Sequence, residues 1–492
     1  MQFQIEMMNS GSIKKNVIYQ TTADVLSMIL PLIASPYISR VIGAEGLGTY
    51  SFYYSVAYYF TLIAALGIRN HGSRTIAKSK NDHQKINISF SNLYAIQLIS
   101  SLICIAFYIL FILSQCGYSS KFYATIMLFQ VISSLFDISW LYIGLEEFRL
   151  TVTVGVTVKL VSFIALFICI KSREDIWIYL LIMSLSVLFN QVALWIPLKK
   201  YVSFAKPSIS IMASHIKPLF ILFLPTIAVS LYKYMDKIMI GVMSNKTQLG
   251  FYENAEKVTL LPLTIISSFG TVMIPRISNM IATSKNDNAI KYTQLSSKYI
   301  MWLSYALSFG FAATANVFAP VYWGAEFTLC GSLIMYLSST IPFISFANII
   351  RTQYLIPYER DLDYVFSVSA GAIVNLAINY CLIPRLGAAG AAAATIAAEI
   401  TVCLIQCVSS RRNLPIGIMF KQTIPFVLFA IIMFAIVFTI GKKMPIGIPS
   451  LGLQIITGMG FYCTTSFLYL YKKQDPMLLS MFSLFQSNNK HP

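Results

Sequence analysis

Apolar residues fall along this chain in blocks of about twenty, parted by short polar turns. A spanning helix needs roughly 20 such residues. The pattern predicts about fourteen spans, near 16–41, 48–67, 88–114, 122–145, 150–170, 176–198, 218–241, 250–274, 293–319, 328–356, 362–383, 388–409, 420–440 and 449–471. The longest connections, about 69–87, 199–217 and 275–292, are all basic, and none has room for a soluble domain. The first block follows Lys14 and Lys15, holds Asp24, Pro31 and Pro36, and lacks a small-residue cleavage site. It reads as a retained spanning helix rather than a signal peptide.

The charges orient these spans. With the N-terminus inside, the inner loops and tails carry 24 Lys and Arg, the outer loops 8, and only Lys159, Lys233, Lys237 and Lys257 fall within spans. That bias supports the span count and places both termini in the cytoplasm. Composition then excludes a soluble enzyme, because 57% of the 492 residues are hydrophobic and 11% charged, against about 25% charged in soluble chains. The net charge of +17 accordingly reads as topology signals facing anionic lipid rather than a nucleic-acid surface. The eight Cys lie mostly in apolar segments without C-x-x-C spacing, as small buried residues rather than disulfides or metal ligands.

Ionisable residues inside spans are costly and are therefore candidate sites. They are Asp24, Asp137, Lys159, Lys233, Asp236, Lys237, Glu253, Glu256, Lys257 and Glu399. Six of them cluster. Lys233, Asp236 and Lys237 share one helix face, and Glu253, Glu256 and Lys257 share a face of the next helix. An outer turn joins these helices, so both trios lie in the outer half of the membrane. Their charges sum to zero, which fits an ion-paired seam as well as a polar wall for a hydroxyl-rich or anionic substrate. Asp24 and Asp137 are candidates for H+ or Na+ coupling or for helix contacts. Lys159 has no acid within a turn, which suits an anionic ligand or a carboxylate on another helix. Glu399 follows the small-residue run G-A-A-G-A-A-A-A-T (387–395), read as a packing surface. Pro31, Pro36 and Pro225 interrupt spans and are candidate hinges.

No catalytic constellation is present. His71, His83, His215 and His491 read as loop or tail residues, and there is no Walker A, G-x-S-x-G, H-E-x-x-H or dinucleotide fingerprint. Neither a cofactor nor a metal is expected, and uphill transport would draw on an ion gradient or on the substrate's own gradient.

The chain also repeats itself. V-I-G-A-E-G-L-G-T-Y-S-F-Y-Y-S-V (41–56) and M-I-G-V-M-S-N-K-T-Q-L-G-F-Y-E-N-A-E-K-V (239–258) both run from an apolar-Ile-Gly through a polar turn to L-G-x-Y. The interval matches a six-helix repeat, as in transporters that hold substrate between similar halves. It predicts an all-α membrane protein with an N-terminal lobe (1–205), a C-terminal lobe (206–412) and helices 13–14 with a cytoplasmic tail (413–492).

These motifs, with P-Y-I-S-R-V-I-G-A-E-G-L-G-T-Y-S-F (36–52), A-L-G-I-R-N-H-G-S-R-T-I-A (65–77) and N-Y-C-L-I-P-R-L-G-A-A-G-A-A-A-A-T-I-A-A-E (379–399), resemble the Wzx-type flippases of the multidrug/oligosaccharidyl-lipid/polysaccharide exporter superfamily. The resemblance spans nearly the whole chain. It implies two pseudo-symmetric six-helix lobes around a central cavity, often with two further helices. It also implies translocation of an undecaprenyl-diphosphate-linked oligosaccharide to the outer leaflet of a bacterial cytoplasmic membrane, for O-antigen, capsule or related glycan. Family members are often cationic in that cavity, and Lys159 and Lys233 are the candidates for the diphosphate. Partners implied are the lipid-linked oligosaccharide, membrane lipids, and a polysaccharide polymerase with its chain-length machinery. The alternatives are a multidrug exporter of the same fold, whose cavity should hold more acids than bases, and a lipid II flippase. A glycan polymerase or ligase usually carries a large outer loop, which is lacking here.

Overall fold

Gly43 adopts φ 77°, ψ 178°, a backbone region open to glycine and closed to other residues. The first long helix, α1 (Gln2–Ala65), bends there, so the two spans expected at 16–41 and 48–67 form one bent element. Pro31 and Pro36 stay inside the helix, and the bend belongs to Gly43 rather than to either proline. The computed structural model describes residues 2–475, with side chains from Leu26 onward except Pro225, Ala228 and Tyr232. Asp24 and Pro225, with its candidate hinge, therefore lie outside the described side chains, and His491 outside the described residues.

After α1 come α2 (Ile68–Lys78), α3 (His83–Ser114), α4 (Tyr118–Ile132), α5 (Ser139–Gly144), α6 (Phe148–Cys169), α7 (Ile176–Ala193), α8 (Ile209–Met243) and α9 (Lys246–Ala282). The chain continues through α10 (Asn286–Trp323), α11 (Leu329–Ser338), α12 (Thr340–Ile350), α13 (Asp361–Leu386), α14 (Ala388–Ser410), α15 (Ile416–Lys443) and α16 (Ile448–Lys472). Twelve helical runs among the described residues are long and apolar enough to cross a membrane. The first of them includes two predicted spans, and α16, at 25 residues, supplies the last. All fourteen predicted segments are therefore helical. Large apolar side chains point outward along them, among them Phe107, Ile168, Val272, Ile373 and Ile456, far beyond what a water-soluble surface carries.

Two predicted spans are broken. Within 122–145, α4 ends in a 3-10 turn, Ser133–Phe136, and Asp137 is extended before α5 begins. Ser133 and Ser134 donate to the Gln130 and Val131 carbonyls, competing with the helix ladder. Gln97 Nε2 then bridges the Ser134 and Asp137 carbonyls, both at 2.7 Å, while its Oε1 accepts from Trp140. Within 328–356, α11 gives way to α12 at Ser339, and a π turn, Arg351–Leu355, follows.

The three described histidines are not loop residues. His71 lies in α2, His83 starts α3 and His215 lies in α8, and His71 Nε2 meets His215 Nδ1 at 2.9 Å. All eight Cys are free, yet only Cys104, Cys330, Cys403 and Cys407 are buried.

The chain divides into two compact units, residues 1–253 and 254–492, with the boundary inside α9. In the first, Ile68, Phe90, Trp140, Tyr142 and Leu194 form a core. In the second, the small-residue run packs as expected: Ala391, Ala392 and Ala394 are fully buried. A Cβ on Gly390 would lie 2.7 Å from the Leu382 backbone, so α13 and α14 approach as closely as glycine allows.

Candidate functional site

Within the first unit, α8 and α9 form a hairpin whose turn is only Ser244–Asn245. Lys237 Nζ and Glu253 Oε2 pair across it at 2.7 Å. Ser51 of α1, 202 positions away, donates to the same carboxylate at 2.7 Å. Tyr252 OH donates to Asp236 Oδ2 at 3.1 Å. Asp236 and Glu253 are buried, so their charges are met by side chains rather than water. The ion-paired seam therefore exists, and it joins three helices.

Its neighbours are aromatic. Tyr50, Tyr54 and Tyr58 follow one another at four-residue spacing along α1, on one face of the helix. Tyr58 stacks on Tyr234 of α8 with centroids 4.0 Å apart and planes 28° apart. Tyr54 and Tyr58 are stacked at 6.4 Å, and Lys237 Nζ lies 5.6 Å from the Tyr234 centroid. Lys233, one turn earlier, is exposed and makes no ion pair or hydrogen bond among the described residues. Glu256 and Lys257 are half-buried and belong to the second unit.

A second polar group opens beside this seam's unit core. A cavity of about 540 Å³ is lined by Arg69, Asp137, Lys159, Asn190, Gln191 and Ser27, among others. Five segments supply them. Gly67 (φ 74°) caps α2 two residues before Arg69, which is exposed and borders the cavity, and a Cβ on Gly67 would lie 2.9 Å from the Leu219 carbonyl. Asp137 Oδ1 accepts from the Ser139 amide at 3.0 Å, which holds the carboxylate at the broken helix. Lys159 Nζ donates to Ser27 Oγ at 2.5 Å. Asn190 Oδ1 and Gln191 Oε1 are buried without a hydrogen-bond partner, although nearly every buried polar atom in a folded protein has one.

Chemically the cavity offers two cations, one acid and amide groups. Such a set can bind an anionic, hydroxyl-rich molecule: guanidinium and ammonium for phosphoryl oxygens, amides for hydroxyls. Of the expected site residues, Lys159 and Asp137 share this cavity, while Asp236, Lys237 and Glu253 share the seam. Arg69, Asn190, Gln191 and the tyrosine ladder were not anticipated. Arg69 stood in a basic loop and read as a topology signal, although it sits in the A-L-G-I-R-N motif. Among the described residues no group of three or more His, Cys, Asp or Glu could hold a metal.

Comparison with known proteins places these features in context. Residues 13–281, more than half of the chain, match the model of the family described as polysaccharide biosynthesis protein. A protein of Shigella dysenteriae named as an O-antigen transporter is 22% identical over 400 residues, covering 80% of this chain and 98% of that protein. Its namesake in Escherichia coli (strain K12) is 22% identical over 415 residues, covering 82% and 98%. Among solved structures, the lipid II flippase MurJ in its inward closed conformation superposes with a TM-score of 0.75 at 15% identity, covering 93% of this chain and 99% of that one. That likeness establishes the shared fold.

Proposed function

This chain belongs to the polysaccharide biosynthesis protein family, and from that premise we propose that it flips a lipid-linked oligosaccharide across the membrane for surface-glycan assembly. The cargo is an undecaprenyl-diphosphate-linked repeat unit, moved to the outer leaflet by alternating access, and the protein acts as a transporter rather than an enzyme. The observation that carries this reading is the cavity in which Arg69 and Lys159 stand with Asn190 and Gln191. A diphosphate needs cations and the attached sugars need amide and aromatic partners, whereas the polyprenyl tail needs none and stays in lipid.

The cavity holds two bases and one acid, Asp137. A multidrug exporter for cationic drugs calls for the opposite balance, so the charge count favours an anionic cargo. A lipid II flippase would handle the same diphosphate chemistry, and the O-antigen transporter relatives favour the glycan repeat unit over it. On this reading the protein sits in the cytoplasmic membrane with both termini inside. It hands its product to a polymerase and chain-length machinery.

Deletion followed by lipid extraction tests the proposal. Loss of surface glycan with repeat units accumulating on the inner leaflet is the expected result. Intact glycan with no accumulation overturns it, and rescue of a lipid II flippase deletion by this chain would transfer the assignment to lipid II.

A further inference from the structure

Three helices of the second unit, α10, α15 and α16, pack on one another, and at one end they leave a cavity of about 450 Å³. Small-molecule sites span about 300–1,000 Å³. Its walls are Lys291, Gln294 and Lys298 of α10, Gln422 of α15, and Tyr469 and Lys473 at the end of α16. Lys291, Leu295 and Lys298 recur at i, i+4 and i+7, so one face of α10 carries two cations with an apolar residue between them. The charge bias puts this end of the helices, with the C-terminus, at the cytoplasmic face.

The charges do not balance within the cavity. Asp475, the one acid among the described lining residues, is buried and accepts from Lys298 Nζ and Tyr299 OH. That contact holds Lys298 at the wall. Lys291 and Lys473 are exposed, and among the described residues their side chains make no hydrogen bond or ion pair. Asp287, one turn before Lys291, lies outside the lining, and residues 476–492 contain no Asp or Glu. Three bases and one acid leave a net positive charge around one space. Like charges so gathered repel, and an anion between them removes that cost.

The remaining groups indicate which anion. A lysine is a point-charge donor suited to a phosphoryl oxygen, and the amides of Gln294 and Gln422 can pair with hydroxyls. Tyr469 stands edge-on to Phe426 and Phe429, with centroids 5.9 Å apart in both pairs, as an aromatic at the membrane interface does. Further into the span, α15 and α16 expose Ile424, Leu428 and Leu468, apolar surface on which acyl chains can lie. A phosphoryl group that carries acyl chains uses both parts, whereas a free anion uses only the first. We propose that this cavity binds the phosphoryl headgroup of an anionic phospholipid from the cytoplasmic leaflet. The bound headgroup ties α10 to α16 through Lys291 and Lys473, whatever cargo the protein moves.

The test uses the full chain, delipidated in detergent and returned to nanodiscs of phosphatidylcholine with or without phosphatidylglycerol. Phosphatidylglycerol should raise the melting temperature by several degrees, and native mass spectrometry should find it retained. Each lysine should contribute about five-fold to retention, so Lys291→Gln combined with Lys473→Gln should lose most of the bound lipid and the added stability. Both side chains are exposed, and this variant should melt like the parent in phosphatidylcholine alone. If it does not, Lys473→Gln by itself should still show the five-fold loss. Lys421→Gln combined with Lys472→Gln removes the same charge beside the cavity rather than within it, and should keep both responses. Equal losses in the two double variants would overturn the pocket in favour of diffuse surface charge. A parent chain indifferent to phosphatidylglycerol would overturn it outright. Inorganic phosphate should leave the melting temperature unchanged; stabilisation equal to that by the lipid, lost in the cavity variant, would make the occupant a free anion and overturn the lipid.

Discussion

Lys237 and Glu253 meet at 2.7 Å across a two-residue turn, with side-chain exposures of 12% and 8%. Ser51 locks the carboxylate from a third helix. A pair this enclosed is held by its geometry, and removing one member strands the other. Lys237→Met or Glu253→Gln alone should each cost about 3–5 kcal/mol, and the double variant less than their sum. Thermal unfolding of the four proteins in one detergent measures the cycle. Additive losses would show that the two residues act independently.

Lys233 and Lys237 are separated by one turn and should behave differently. Lys233 is exposed and outside the seam, so Lys233→Ala should leave membrane abundance unchanged while lowering glycan export. Lys237→Ala should lower abundance itself. Immunoblots of membranes beside surface-glycan staining separate the two, and equal abundance for both would contradict the division.

Arg69 and Lys159 should act on cargo. Arg69→Gln and Lys159→Gln should each reduce translocation several-fold at unchanged abundance, and the glutamate variants should abolish it, because a carboxylate repels phosphoryl oxygens. Translocation of a fluorescent lipid-linked oligosaccharide in proteoliposomes reads this directly. Undiminished rates in both glutamate variants would remove the cavity from the mechanism.

The tyrosine ladder should serve through ring faces. Tyr58→Phe should retain export and Tyr58→Leu should reduce it, since stacking requires the aromatic plane. Equal export by the two variants would reassign Tyr58 to plain packing.

Gly48 and Gly250 occupy the same place in the two copies of L-G-x-Y and pack reciprocally. A Cβ on Gly48 would lie 1.7 Å from the Lys246 carbonyl oxygen, and one on Gly250 would lie 1.9 Å from that of Ala44. Backbone cannot move aside as a side-chain tip can, so either alanine substitution should cost at least about 1–3 kcal/mol. A melting temperature within error of the parent would show that the helices part more easily than their contact implies.

Much of this molecule is legible in its sequence, and the reason is the bilayer. Lipid demands about twenty apolar residues per crossing and a helix to satisfy the backbone, so the fourteen segments, the all-α class and the close packing at 387–395 follow from local pattern. The L-G-x-Y repeat was likewise visible as a motif, though nothing local reveals that its two glycines touch. Local pattern failed where side chains reach beyond their own helix. Asp137 read as a helix residue because the 3-10 break depends on Gln97 from α3, and Arg69 read as a loop charge because its cavity is assembled from five segments. Lys237, Glu253 and Ser51 could be placed on faces, yet a bond spanning 202 positions exists only once α1, α8 and α9 are packed. Hydrophobic period reports where a helix lies, while the partner of a buried charge is set by which helices meet.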